Sequence, residues 1–276
     1  MVELLGSGEI RRLAAELELK PTKKLGQNFV IDPNTIRKIV AAAGLSPRDK
    51  VVEIGPGLGS LTLGLLEKVN QLAVVEFDSR LADRLKQTLH LRASGHKCHI
   101  ITDDAMNVKE LPFEPDALVA NLPYNISVPV LLHFMETFPS LKKGLVLVQA
   151  EVAARLIAPP GSKTYGSPSA KLAWYASASS GGVVSRSIFW PIPNVDSALV
   201  YFEKREVEFP KQLRSEVFRV IEGAFAQRRK TLRQALSDWA GSPVEAEKLL
   251  VAAGISPQAR GEDLVIDDFV RLASVK

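Results

Sequence analysis

The chain has 276 residues, 46% hydrophobic and 24% charged, a balance suited to one large globular domain with a smaller one beside it. No apolar run is long enough to cross a bilayer, and the first residues lack the basic-then-apolar pattern of a secretory leader. Cys98 is the sole cysteine, which excludes an internal disulfide framework and fits a reducing compartment. These features lead us to expect a cytoplasmic protein without membrane association. The net charge is +4, unevenly spread: residues 11–38 hold seven Lys/Arg against three acids and residues 204–233 hold nine against four, while 39–203 balance at fifteen each. Two cationic segments around a neutral middle suit a polyanion, although solvated helix faces give the same count.

In chain order, residues up to about 22 read as one amphipathic helix and a connector. Apolar runs of strand length follow at 51–54, 72–75, 99–101, 117–120 and 145–148, with helical spacing at 60–69 and 80–91 between the first three. This alternation predicts a mostly parallel sheet with helices on both faces. The run S-A-L-V-Y-F at 197–202 has no clear crossover helix before it and is expected to lie antiparallel. Beyond Glu206 the texture turns helical, at 211–225, 229–240, 243–253 and 267–273. The expected organisation is an α/β domain over 1–205, with an N-terminal helical extension, and a small all-helical domain over 206–276.

The turn after the first strand reads E-I-G-P-G-L-G-S-L-T. Gly55, Gly57 and Gly59 lack the Cβ atoms that keep a ligand off the backbone at a helix start. Glu76 closes the second strand, 21 residues beyond Gly55, where a carboxylate suits the two hydroxyls of a ribose. A dinucleotide enzyme fits this pair too, but the third glycine falls one position earlier than in G-x-G-x-x-G, and Pro56 stiffens the turn.

Asn121-Leu122-Pro123-Tyr124 follows the fourth strand, at the carboxyl edge where parallel sheets place ligands. An adenine amino nitrogen is a poor nucleophile because its lone pair is delocalised into the ring. The Asn121 side-chain carbonyl and the Leu122 main-chain carbonyl can accept its two hydrogens and favour a pyramidal nitrogen facing an electrophilic methyl. Pro123 holds the turn, and Tyr124 offers a flat face for an unstacked base. No strong base is required, in keeping with the lack of a Ser-His-Asp or Cys-His arrangement.

These segments, with K-K-L-G-Q-N-F at 23–29, V-E-F-D at 75–78, D-D-A-M at 103–106, F-W-P-I-P-N-V-D-S at 189–197 and F-A-Q-R-R-K-T-L-R at 225–233, run along nearly the whole chain. In that order they resemble the KsgA family of small-subunit rRNA adenine dimethyltransferases. The resemblance implies a Rossmann-like class I methyltransferase domain with S-adenosylmethionine as methyl donor and no metal. Its expected product is two adjacent N6,N6-dimethylated adenosines near the 3′ end of small-subunit rRNA, made during maturation of the immature subunit by a monomer. Asn28 and Val30 would close over the donor, Gly55 would meet its amino-acid part with Gly57 also in the donor site, Glu76 would meet its ribose and Asp104 its adenine. Asn121 would touch donor and target, with Tyr124 and Phe189 sandwiching the flipped base. Lys23 and Lys24, together with Arg228, Arg229 and Lys230, would hold RNA. Val30 stands where Leu is usual, Leu25 where a larger aromatic is frequent, and Pro168 where a bulkier apolar residue is expected, so the loop around Pro168 should differ in shape.

His96, Cys98 and His99 cluster, but with no paired motif elsewhere they make a poor metal site. Two rival functions fit parts of the pattern. An Erm-type enzyme acting on large-subunit rRNA usually has Ile after the motif Asn, which disfavours it here. An assembly factor with an idle methyltransferase fold is disfavoured by the competent residue at every site position.

Overall fold

The apolar runs and leucine-striped segments assemble into the expected layers. In the computed structural model residues 2–19, 28–206 and 209–276 are described; Lys23, Lys24 and Leu25 lie outside them. The chain runs α1 (Ser7–Glu16), β1 (Phe29–Val30), α2 (Pro33–Ala42), β2 (Lys50–Ile54), α3 (Ser60–Leu66), β3 (Gln71–Glu76), α4 (Ser79–Arg92) and β4 (Lys97–Thr102). It continues through β5 (Ala117–Asn121), α5 (Ser127–Thr137), β6 (Lys143–Gln149), α6 (Ala150–Leu156), α7 (Ser167–Ala173), β7 (Ala176–Val184), β8 (Phe189–Trp190) and β9 (Ser197–Lys204). Then come α8 (Arg214–Ala226), α9 (Leu232–Ala235), α10 (Ser237–Ala240), α11 (Pro243–Ala252) and α12 (Ile266–Ser274).

Among the described residues the main sheet has the order β4-β3-β2-β5-β6-β9-β7. The strands from β4 to β6 are parallel, and β9 is antiparallel to β6, as expected for the late strand. Val51, Val52, Val74, Leu118, Val119 and Val146 are buried because helices cover both faces, which is why these strands read as unbroken apolar runs. The order reverses between β2 and β5, leaving a crevice beyond their carboxyl ends. Local chemistry sets the helix starts. The Asp32 carboxylate accepts from the N–H groups of Asn34 and Thr35 ahead of α2, with Pro33 in its first turn, and Asp78 caps α4 through the Arg80 N–H.

The chain divides into two compact units, 1–153 with 179–204 and 154–178 with 205–276. A single boundary near 205 therefore misses a segment of the second unit. Tyr165, Ala170 and Trp174 bury in one cluster with Val217, Ile221, Leu236 and Phe269, and the Tyr165 hydroxyl donates to the Leu264 carbonyl at 3.0 Å. The segment departs from the first unit and returns to it, so no change of composition marks it. Pro168 sits in the first turn of α7, where a missing N–H costs nothing, rather than in a loop. The expected helix over 229–240 begins only at Leu232 and breaks between α9 and α10, leaving Arg229 and Lys230 in the turn before it. α1 covers only part of the expected N-terminal helix, and α5 to α7 and β7 have no counterpart among the elements expected from sequence.

Candidate active site at the carboxyl edge of the sheet

A cavity of about 260 Å³ opens beyond the ends of β2, β3 and β5. Its wall includes Asn28, Val30, Gly55, Gly57, Glu76, Asp104, Asn121 and Pro123, eight of the residues expected at the site from sequence. They come from five separate segments: the order of the main sheet gathers four of them, and the fifth, at β1, is joined to β5 by the Asn121–Asn28 hydrogen bond.

The glycine turn is built to expose backbone. Gly55, Gly57 and Gly59 have φ of 69°, 57° and 95°, the left-handed region where side chains are strained. At Gly57 a Cβ would also lie 2.8 Å from the Phe29 ring, so glycine is required on both counts. The Gly57 N–H donates to Glu76 Oε2 at 3.0 Å, and the Asp78 N–H donates to Oε1 at 3.0 Å. Both carboxylate oxygens are thus anchored, and each keeps a lone pair for a further hydroxyl. Burial raises the Glu76 pKa, while the N–H groups of Asp78 and Gly57 oppose the rise.

Below the turn, Glu53 is buried and also lines the cavity, accepting the Thr62 hydroxyl at 2.7 Å. Desolvation pushes its carboxyl up to about 8, with the nearby Glu76 adding to the rise and Thr62 opposing it. The Ser60 hydroxyl, on another wall residue, is buried without a hydrogen-bond partner among the described residues. Asp104 accepts the Met106 N–H at 2.9 Å through Oδ1. Phe77, absent from the expected site, is on the wall and 67% exposed. An aromatic left this open directly after a buried acid is a signal only the fold supplies.

Asn121 ends β5. Its Nδ2 donates to the Asn28 carbonyl at 3.0 Å across 93 residues. A carbonyl can only accept, so this bond decides which end of the amide is which and leaves Oδ1 as the end not engaged by it. Leu122 is buried, its N–H held by the Leu147 carbonyl at 3.1 Å. Tyr124 is half-buried, and its hydroxyl lies 2.7 Å from Ser197 Oγ. Burial raises its pKa, so the phenol is neutral at physiological pH.

The structure does not bring every expected residue to the cavity. Leu122, Tyr124 and Phe189 are off its wall. Phe189 has no exposed surface: β8 pairs with β1, Val30 opposite Phe189, and the ring packs into the main core. It therefore offers no open face to a base, correcting the expected sandwich with Tyr124. In the helical unit, Arg228 is paired with Glu262 at 3.0 Å and also donates to the Lys163 carbonyl. Arg229 and Lys230 are exposed and, among the described residues, have no ion-pair partner. No group of three or more His, Cys, Asp or Glu able to hold a metal ion occurs among the described residues, and no described helix is long and apolar enough to cross a membrane.

The whole of this arrangement has relatives. The ribosomal RNA small subunit methyltransferase A of Thermobifida fusca is 56% identical over 273 residues, covering 98% of this chain and 95% of that protein. The protein of the same description from Streptomyces coelicolor is 54% identical over 277 residues, covering 99% and 97%. Among solved structures, a dimethyladenosine transferase from Plasmodium falciparum superposes with a TM-score of 0.74 at 25% identity, over 87% of this chain and 94% of that one. The 23S rRNA methyltransferase ErmE gives 0.65 at 25% identity, over 90% and 99%. The profile of the ribosomal RNA adenine dimethylases matches residues 19–276, and with these relatives it shows that the chain belongs to the ribosomal RNA adenine dimethylase family.

Proposed function

We propose that the chain dimethylates N6 of two adjacent adenosines near the 3′ end of small-subunit rRNA, with S-adenosylmethionine as donor, during maturation of the subunit in the cytoplasm. The observation that carries this reading is the Asn121 amide, oriented by the Asn28 carbonyl at the wall of a nucleoside-sized cavity. The choice of small-subunit rRNA is supported by the curated relatives, named for that subunit at 54–56% identity.

The residues present fit the donor. Glu76 keeps lone pairs for ribose hydroxyls, Asp104 suits an adenine amino group, and the open backbone at Gly55 and Gly57 suits the amino-acid part. Asn28 and Val30 close one side. When bound, the donor supplies an electrophilic methyl on a sulfonium sulfur. The rest is done by the chain. Asn121 Oδ1 and the Leu122 carbonyl accept the two hydrogens of the target amino group, bonds that strengthen as the nitrogen becomes pyramidal and acidic. Because Asn28 holds the amide, no reorganisation is needed as that charge develops. Tyr124 provides the flat face for the extruded base and, being neutral with its hydroxyl on Ser197, takes no proton. The proton leaves to water once the nitrogen carries its new methyl. Arg229 and Lys230, with Lys23 and Lys24 outside the described residues, contribute phosphate contacts. A monomer is the proposed active form.

The test is expression in a bacterial strain lacking its own dimethyladenosine transferase, with methyl-adenines mapped by mass spectrometry. Two dimethyladenosines near the 3′ end of small-subunit rRNA are expected. Modification confined to large-subunit rRNA would overturn the choice of substrate, and none at all would favour an assembly role without catalysis.

A further inference from the structure

The motif at 189–197 ends in Ser197, a residue to which the reaction above gives no chemical task. Ser197 is the first residue of β9, fully buried, and pairs with Gln149 at the end of β6. Its Oγ lies 2.7 Å from the Tyr124 hydroxyl, a contact spanning 73 residues of sequence. β5, β6 and β9 are neighbours in the sheet, and Tyr124 stands three residues beyond the end of β5. Its side chain therefore reaches from the β5 loop past the carboxyl end of β6 to the start of β9. The ring is held at both ends, by its backbone in the loop and by its hydroxyl on a strand. A tyrosine hydroxyl lies on the axis of its own ring torsion, so a hydrogen bond there to a residue locked in the sheet fixes χ1, the direction in which the ring extends from the backbone.

We infer that Ser197 is a positioning residue for the methyl-transfer reaction, fixing the direction in which the Tyr124 ring extends from the β5 loop and hence where the target adenine presents its amino group to Asn121. The inference rests on the reading of Tyr124 as the platform for the extruded base. A base lying on a displaced platform moves its amino nitrogen away from Asn121 Oδ1, and a displacement of about 1 Å at a reacting atom can cost on the order of 100-fold in rate. Nothing in this arrangement touches the donor, so the effect falls on the chemical step and on target engagement.

The experiment compares Ser197→Ala, Tyr124→Phe, the double variant and Tyr124→Ala in single-turnover methylation of immature small subunits, with calorimetric binding of S-adenosylhomocysteine as the control. Ser197→Ala and Tyr124→Phe each remove the same bond. Both are expected to lower the methylation rate by about 10- to 100-fold while leaving the affinity for S-adenosylhomocysteine within about twofold. The double variant is expected to be no slower than the slower single one, because only one interaction is lost. Multiplicative losses in the double variant, or a wild-type rate for Ser197→Ala, would overturn the inference. If Ser197→Ala fails to bind S-adenosylhomocysteine because β9 is disturbed, Tyr124→Phe decides, since it deletes the bond without altering the strand; a wild-type rate there overturns the inference equally. Tyr124→Ala separates the two levels. A wild-type rate for that variant removes the platform reading itself, whereas a slow Tyr124→Ala beside an unimpaired Ser197→Ala removes only the positioning role.

Discussion

Two side chains at the site, Asn121 and Glu53, are controlled by single hydrogen-bonding neighbours and by burial, and each makes a residue-level prediction. Asn121→Ala removes the acceptor and is expected to abolish methyl transfer with donor binding largely intact. Asn121→Asp is more telling, because it is isosteric and keeps an acceptor. It places a carboxylate oxygen against the Asn28 carbonyl, turning a 3.0 Å bond into a repulsion between two acceptors. A loss of about 100- to 1,000-fold in kcat, the scale of one oriented donor or acceptor, is expected with S-adenosylhomocysteine affinity little changed. Full activity would show that orientation by Asn28 does not matter. Glu53 ionises near 4.5 in its ordinary state and near 8 when folded, because it is buried. Between those values the native state holds a proton that the unfolded chain has released, so stability falls as pH rises and levels off above the folded pKa. Glu53→Gln removes this slope. From about pH 5 to pH 8 its thermal midpoint should drop less than that of the wild type, and parallel curves would contradict the raised pKa.

At the scale of elements, strand packing is what aligns the site. Gly144 lies in β6 between Leu118 of β5 and Phe202 of β9. A Cβ there would overlap the Phe202 ring and the Leu118 main-chain carbonyl, and the carbonyl cannot retreat without disturbing the strand pair. Gly144→Ala is expected to destabilise the protein by about 3 kcal/mol or more, read from urea denaturation. A cost under about 0.5 kcal/mol would mean that the strands separate freely, against the close packing of such cores. Elements with strong periodicity or clear caps, such as β2, β3, α4 and α11, were legible in the sequence. Others were not, for reasons that differ. α5 follows Ile126, which supplies no capping side chain, so the local mark of its start is reduced to Pro129 in its first turn. β1 and β8 have two residues each and exist only because they pair with one another.

For the whole molecule, the question is which cations are free to meet RNA. Charge counting treated Arg228, Arg229 and Lys230 alike, yet Arg228 is committed to Glu262 and the Lys163 carbonyl. Replacing Arg229 and Lys230 with Gln should reduce the slope of log affinity against log salt by about 1.4 to 1.8, two phosphate contacts at most. Replacing Arg228 alone should change the slope less. Equal effects from the three would mean that the Glu262 pair opens on binding.

The sequence by itself determined the chemistry-bearing segments: the glycine turn, Glu76, Asp104 and Asn121 to Tyr124 are each short, and their residue types state what they can bind or polarise. It also determined the alternation of strand and helix that implies a parallel sheet, because periodicity is a local property. Only the tertiary structure decided how those segments meet. The Asn28 carbonyl orients an amide 93 residues away, and Ser197 holds a tyrosine 73 residues away. Phe189, for all its place in a motif, turns into the core, and residues 154–178 join the helical unit. Each of these depends on strand order and on which face of a strand is covered, and those follow from packing across the whole chain rather than from any window along it.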